Sequence, residues 1–385
     1  MSRKFEKFGK KLTSQDIKDF VNSLGAGGGG VNVVGIANIE RFRNAPERMH
    51  PRNIFPDCRS VITILQPIPR STYRGITEGT HWPNYTYYSY NRLNELFRPM
   101  ISDRLTCFLE DYGYEAVPVY PGGPEIYRPD PDPVPGRPAP DINLNVRIAG
   151  VACGLGEIGW SKVFIHPEFG PRVRLGTILT DAELEPDPLI KPGTLCKRCM
   201  KCVPDCPGNA IPGKDGPVRK IVIDDQEYVW GDVNMGRCTA THHGLNYKAS
   251  PFLKHAFPGF DLDITNSKMS EELSYRVSYT LGFANWTART PEFKCPGNAS
   301  YPYIYQIWKH CGYLAVCGAK GCIRACMEFQ EKTKNIGQHD FQTPVFPDPK
   351  WELEPPCNDE TGGIVEGKLL PELYRVPDDD AGQWE

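Results

Sequence analysis

The sequence predicts an α/β fold: a helix-covered sheet in the first half of the chain, joined to a separate cysteine-bearing unit. Three observations carry this reading. The runs VNVVGIA (31–37) and SVITILQ (60–66) are short, rich in β-branched residues and bounded by turn residues, as strands buried on both faces are. From Tyr85 to Ile101 the apolar residues fall at helical spacing, and a strand pattern resumes beyond Gly113, so strands and helices interleave. After residue 190 that pattern stops and cysteines gather. The expected division is an α/β core over 1–190, a cysteine unit over 191–330 whose long insertion, 239–310, covers a pocket, and an extended tail over 331–385.

The first helix is expected over 12–24, where Ile17, Phe20, Val21 and Leu24 form one face after a Thr13/Ser14 start signal. GAGGGG ends it. Gly25 and Gly27 to Gly30 read as a connector, because no strand precedes them and no Lys-Ser/Thr closes them as a phosphate loop requires. A polar segment with Arg41, Arg43 and Arg48 joins the two strands. Tyr85, Tyr87, Tyr88 and Tyr90 open the next helix, which continues through Leu93, Leu96, Phe97, Met100 and Ile101, and EDYGYEAVPVY returns the chain to a strand. Residues 121–140 are dense in proline, glycine and aspartate and read as a loop, a lid or surface excursion. Glycines follow at 150, 154, 156, 159 and 170, then a strand over 173–180. GLGEIG has the spacing of a dinucleotide loop, but Pro167 and Gly170 cut short the helix such a loop opens into. Close backbone approach to a large cofactor, at Gly154 and Gly156, is the more general reading.

Cys196, Cys199, Cys202 and Cys206, followed by Pro207, spell C-x2-C-x2-C-x3-C-P, the spacing that wraps three thiolates around a cubane iron-sulfur cluster and sends the fourth to a second cluster. Zinc or disulfides are the alternative, but zinc sites do not usually combine two C-x2-C steps with C-x3-C-P. Cys317, Cys322 and Cys326 supply the second group, their C-x3-C mirroring that of Cys202 and Cys206. By ligand exchange Cys326 closes the first cluster with Cys196, Cys199 and Cys202. Cys206, Cys317 and Cys322 then hold the second with one more, for which Cys238 is chosen while Cys295 and Cys311 compete. Cys357 has no partner in this scheme.

At 40% hydrophobic and 24% charged residues, with net charge -3 and pI ≈ 6.3, the composition is that of an ordinary globular chain without the basicity of a nucleic-acid binder. The 14 cysteines in a chain of 385 residues point to a reducing compartment rather than a small disulfide scaffold. No apolar run reaches the ~18–20 residues of a membrane span, and MSRKFEKFGKK leads into no apolar signal segment, so a cytoplasmic location is expected.

GVNVVGIANIERF, the P-x-C-R-S-V-I-T-I strand, the tyrosine-rich helix, DYGYEAVPV, GLGEIGW, IHPEFGPRVRLGTILTD and LCKRCMKCVPDCPGNAI, in that order, resemble the cobalamin-dependent reductases, a group that includes reductive dehalogenases and epoxyqueuosine reductases. PEFGPRVRL and TDAELEPDP lean toward the dehalogenases. The resemblance implies a nitroreductase-like core holding base-off cobalamin, and a ferredoxin-like domain whose two 4Fe-4S clusters feed electrons to the cobalt. It further implies a tyrosine proton donor, here Tyr90 with Tyr88 as substitute, and a basic partner, here Lys162. His166, Arg172 and Arg174 are candidates to meet cofactor carboxamides or phosphate, with a strand-end salt bridge as the other reading for the arginines. An epoxyqueuosine-type enzyme would use an aspartate instead, for which Asp141 is nearest. The chain departs from the group in its long insertion, in Met327 where a proline usually follows the last cysteine, and in having no twin-arginine leader. The expected partners are a small-molecule substrate and an electron donor such as ferredoxin or flavodoxin; substrate identity and oligomeric state are not legible. The competing readings are a cobalamin-free iron-sulfur electron carrier and an epoxyqueuosine-type reductase.

Overall fold

A computed structural model describes residues 7–25, 33–81, 83–120, 144–242, 244–246, 248–249, 270–271, 273 and 317–343. Gly27 to Gly30, the loop 121–140, Asp141, Cys295, Cys311, Cys357, most of the insertion and the tail beyond 343 lie outside the described residues. In chain order the strands are Val34–Asn38 (β1), Ser60–Pro67 (β2), Ala116–Val119 (β3), Glu157–Ile158 (β4), Phe164–Ile165 (β5), Val173–Thr180 (β6), Val218–Ile223 (β7) and Gln226–Gly231 (β8). The helices that matter to the argument are Ser14–Ser23 (α1), Arg98–Asp111 (α2), Val146–Ala152 (α3), Met235–His242 (α4), Cys317–Lys320 (α5) and Cys322–Lys332 (α6).

Helix and sheet are mixed, as expected of an α/β chain, and the central sheet runs β1-β2-β6-β3 with every pairing antiparallel. Its two faces follow from register. Gly35, Thr63 and Thr177 form one cross-strand row. A Cβ on Gly35 would strike the Cys153 carbonyl, and the Cys153 thiol lies 3.3 Å from Thr63 Oγ1, so α3 covers that face. Gly176, one residue from Thr177, points the other way, where a Cβ would meet the Arg98 side chain of α2. Covered on both sides, the central strands are buried almost throughout, which explains their unbroken apolar runs. Pro118 sits on β3, an edge strand paired only with β6, where a missing N–H costs nothing.

Ile36, Ile62 and Ile178 lie side by side across three strands, each with no exposed surface. Ile62→Ala removes the middle of that row. Its unfolding free energy, read by urea denaturation, is expected to fall by about 2–5 kcal/mol.

Helix α1 starts with a capping box: the Asp16 N–H donates to Thr13 Oγ1 and the Thr13 N–H to the Asp16 carboxylate. It packs on α2, with Phe20 stacked on Phe108 at 4.1 Å. Two elements were not legible in the sequence. Helix α3 is short and contains Gly150, which allows Phe164 and Leu175 to approach closely. The β7–β8 hairpin turns at Asp224, with φ 52°, where a two-residue Asp-Asp turn between apolar runs was the available signal. Among the described residues no helix is long and apolar enough to cross a membrane.

Candidate metal centre and adjoining tyrosine cluster

The strand pair β4–β5 prepares the cysteine loop. Glu157 on β4 is buried, and its carboxylate accepts from the backbone N–H groups of Gly193 (2.7 Å), Leu195 (2.8 Å) and Cys196 (3.2 Å). From the other side the Leu195 carbonyl accepts from Gln330 of α6 (2.8 Å) and from Asn335 (3.0 Å). The loop is therefore fixed before its first cysteine. Within it Arg198 and Met200 take left-handed backbone angles, φ 49° and 60°, at roughly 1–2 kcal/mol each for non-glycine residues. Such alternation curls successive N–H groups around an anion, as many iron-sulfur sites require. Backbone N–H groups of Trp160 (3.3 Å) and Arg198 do reach the Cys196 sulfur. Glu157→Gln leaves one of the loop's N–H groups facing a donor. It is expected to lower stability by about 1–3 kcal/mol and to reduce iron retention, measured by urea unfolding and metal analysis.

The eight cysteines fall into two groups. Cys196, Cys199, Cys202 and Cys326 line one cavity with Gly159, Trp160 and Phe329, enclosing ≈ 380 Å³ including its open mouth. The other four adjoin one another: Cys317 is within electrostatic reach of Cys238, Cys322 and Cys206, and Cys322 also of Cys202 and Cys326, where the two groups meet. Cys206 accepts from the Ala210 N–H at 3.4 Å. Gly321 brings the two chain segments together, since a Cβ there would lie 2.8 Å from the Pro207 ring, and Cys322 follows at once.

Burial, reinforced by neighbouring thiolates, pushes the Cys202 thiol up to about 12 and raises Cys196, Cys317, Cys322 and Cys326 as well. Partly buried thiols whose negative forms repel one another suit a polycationic centre that displaces their protons. Among the described residues no three Cys, His, Asp or Glu side chains converge on a single-ion position. The thiols surround a space instead, which fits a cubane better than one zinc at ~2.3 Å from each sulfur.

The tyrosine cluster adjoins the second group. Pro83–Thr86 begins as α-helix and Tyr87–Phe97 continues as π-helix, a form that is rare and concentrated at functional sites. Tyr85 is fully buried beside Tyr73, their ring centroids 4.9 Å apart. It abuts Gly318, next to Cys317. Tyr90 packs edge-on to Tyr85 at 5.8 Å and beneath the Arg174 guanidinium at 4.1 Å. It also faces the His242 ring at 5.2 Å, and His242 Nδ1 lies 3.7 Å from Cys317 Sγ. Burial, with Arg174 and Arg147 nearby, pulls His242 down to about 4.

The other predicted residues lie as follows. Tyr88 is 46% exposed and packs on Tyr87. Lys162 has φ 65° and places its Nζ 3.6 Å from the sulfur of Met235, at the start of the helix bearing Cys238. Gly154 and Gly156 do permit close approach, but of the chain to itself: a Cβ would strike the carbonyls of Pro188 and Ile165, respectively. His166 Nδ1 accepts from the N–H groups of Glu168 and Phe169 and so closes a turn. Arg172 donates to the Ile68 carbonyl and to Gln338; Arg174 donates to the Ser89 carbonyl in the π-helix.

Glu157, His242 and Arg147 escaped the sequence reading. For His242 a signal existed: it stands four residues after Cys238, on the same face of α4.

No family model matches the chain. Over 79 residues it is 42% identical to a tetrachloroethene reductive dehalogenase of Dehalobacter restrictus, a match covering 20% of this chain and 14% of the relative. Over 58 residues it is 43% identical to an epoxyqueuosine reductase of Synechococcus, covering 15% of this chain and 17% of that protein. The chain thus spans well under a fifth of the length of these relatives in matched sequence. Among solved structures, a catabolic reductive dehalogenase aligns with a TM-score of 0.41 at 18% identity, covering 69% of this chain and 34% of that one.

Proposed function

We propose, from this chain's similarity to the reductive dehalogenases and epoxyqueuosine reductases, that it is an oxidoreductase in which two 4Fe-4S clusters supply electrons to a base-off cobalamin held by a nitroreductase-like core. The observation that carries the reading is the sorting of eight thiols into two groups of four, contributed by segments far apart in the chain. Bound cobalamin would supply a strongly reduced cobalt able to cleave a carbon-halogen or related bond. The balanced reaction is R–X + 2e⁻ + H⁺ → R–H + X⁻.

The chain's own residues have separate parts in this proposal. Cys196, Cys199, Cys202 and Cys326 would hold the cluster that accepts electrons from outside, and Cys206, Cys238, Cys317 and Cys322 the one that would relay them. Tyr90, Arg174, Arg147 and His242, grouped beside the second set of thiols, are the described polar side chains that would meet cofactor or substrate. Tyr90 Oη delivers the proton to the substrate carbon. Arg174 holds Tyr90 in place through its ring face and ties it to β6.

The test is metal analysis of protein purified anaerobically and reconstituted with iron, sulfide and cobalamin, alongside visible and EPR spectra. About eight irons and one base-off cobalamin per chain are expected. Eight irons that stay cobalt-free would overturn the reductase reading and leave a cluster-bearing electron carrier.

A further inference from the structure

We propose that the exposed rim of the first thiol group is the docking surface for a small, acidic, one-electron carrier protein. The inference rests on the reading of Cys196, Cys199, Cys202 and Cys326 as cluster ligands, and names the partner that site fits.

Of the eight clustered cysteines only Cys199 is exposed; the other seven are partly covered. Electrons tunnel between proteins over short edge-to-edge distances, so the edge nearest solvent is the place of entry. Around that edge the charge is one-sided. Lys197, Arg198 and Lys201 alternate with the cysteines and are exposed, with Lys191 just upstream. From Leu189 to Val203 there is no aspartate or glutamate. A chain of net charge -3 thus presents a cationic collar where its first cluster would meet water.

The collar is held rather than loose. Lys197 Nζ donates to the Gly193 carbonyl at 3.2 Å. The Arg198 guanidinium rests 5.7 Å from the Trp160 ring, and Lys201 Nζ 6.0 Å from Phe329; both aromatics line the thiol cavity. Among the described residues, the Glu157 carboxylate is engaged with the loop's backbone, Glu328 with Arg324, and Glu331 with Arg70. A one-signed rim of this kind raises the encounter rate of an oppositely charged partner and orients it, an effect that salt screens. The step is a transfer of one electron: the carrier is oxidised by one, the first cluster is reduced by one, and no bond is made or broken.

The experiment is stopped-flow reduction of the reconstituted full chain by a reduced acidic ferredoxin, for wild type and for the Lys197→Glu, Lys201→Glu double variant, across a salt series. Photoreduced deazaflavin, which is small and uncharged at its reacting ring, serves as the control reductant. The second-order rate with ferredoxin is expected to fall at least about ten-fold in the double variant at low salt, and in wild type to fall steeply as salt rises. Deazaflavin should reduce both proteins alike, showing intact clusters. Equal ferredoxin rates for wild type and variant, or no reduction by ferredoxin of a cluster that deazaflavin reduces, would overturn the docking surface alone. Absence of iron from the wild-type protein would overturn the reading of the cysteines beneath it, and would be seen before any carrier is added.

Discussion

Cys326→Ala is expected to hold about half the iron of the wild-type protein, losing one cubane EPR signal and keeping the other. The prediction is sharp because sequence proximity points elsewhere. Cys326 is four residues from Cys322 and more than a hundred from Cys196, yet the charges felt by its thiol are those of Cys196, Cys202 and Cys199. Conversely, Cys206, four residues from Cys202, stands with Cys317 and Cys238. Cys206→Ala should therefore remove the signal that Cys326→Ala spares. If the two variants lost the same signal, the division into groups would be wrong. A zinc protein would show neither signal in any variant.

The second large effect concerns Tyr90. Tyr90→Phe keeps the ring that packs between Arg174, Tyr85 and His242 and removes only the hydroxyl. General acid catalysis contributes about 10²–10⁴-fold, so kcat should fall by roughly that factor while KM, iron and cobalt content stay as in wild type. Tyr88→Phe, on the exposed side of the same π-helix, should leave kcat within about two-fold. Turnover by Tyr90→Phe at near wild-type rate would remove this tyrosine from the proton path, whatever the cofactor content. A loss of cofactor in Tyr90→Phe would instead mark the hydroxyl as a binding group.

The sheet was legible because its central strands are buried on both faces and so read as unbroken β-branched runs. Ser60–Pro67 and Val173–Thr180 fall almost where the sequence places them. The cysteine spacing was legible because cluster geometry fixes it. Helix α3 was hidden by the glycines that let it pack, and the π-helix by the fact that Tyr87–Phe97 also fits ordinary helical periodicity. Gly154 and Gly156 were read as an opening for a cofactor; the missing Cβ also makes room for the Pro188 and Ile165 carbonyls, an approach that a single sequence does not display. Glu157 was missed for a related reason. Its partners are backbone N–H groups 36 to 39 residues away, and backbone has no sequence signature.

The meeting of Gly321 with Pro207 has an evolutionary consequence. Two metal centres would clamp the chain on either side of the insertion, so its ends are pinned together whatever lies between them. The closure entropy of a flexible loop grows only with the logarithm of its length, about 0.6 kcal/mol per doubling. Segments inserted after Met235–His242 and before Cys317–Lys320 can thus lengthen, shorten or be exchanged with little penalty to the folded core. In the proposed reductase, selection for a new substrate would be free to act on that stretch while the proposed electron path stayed fixed.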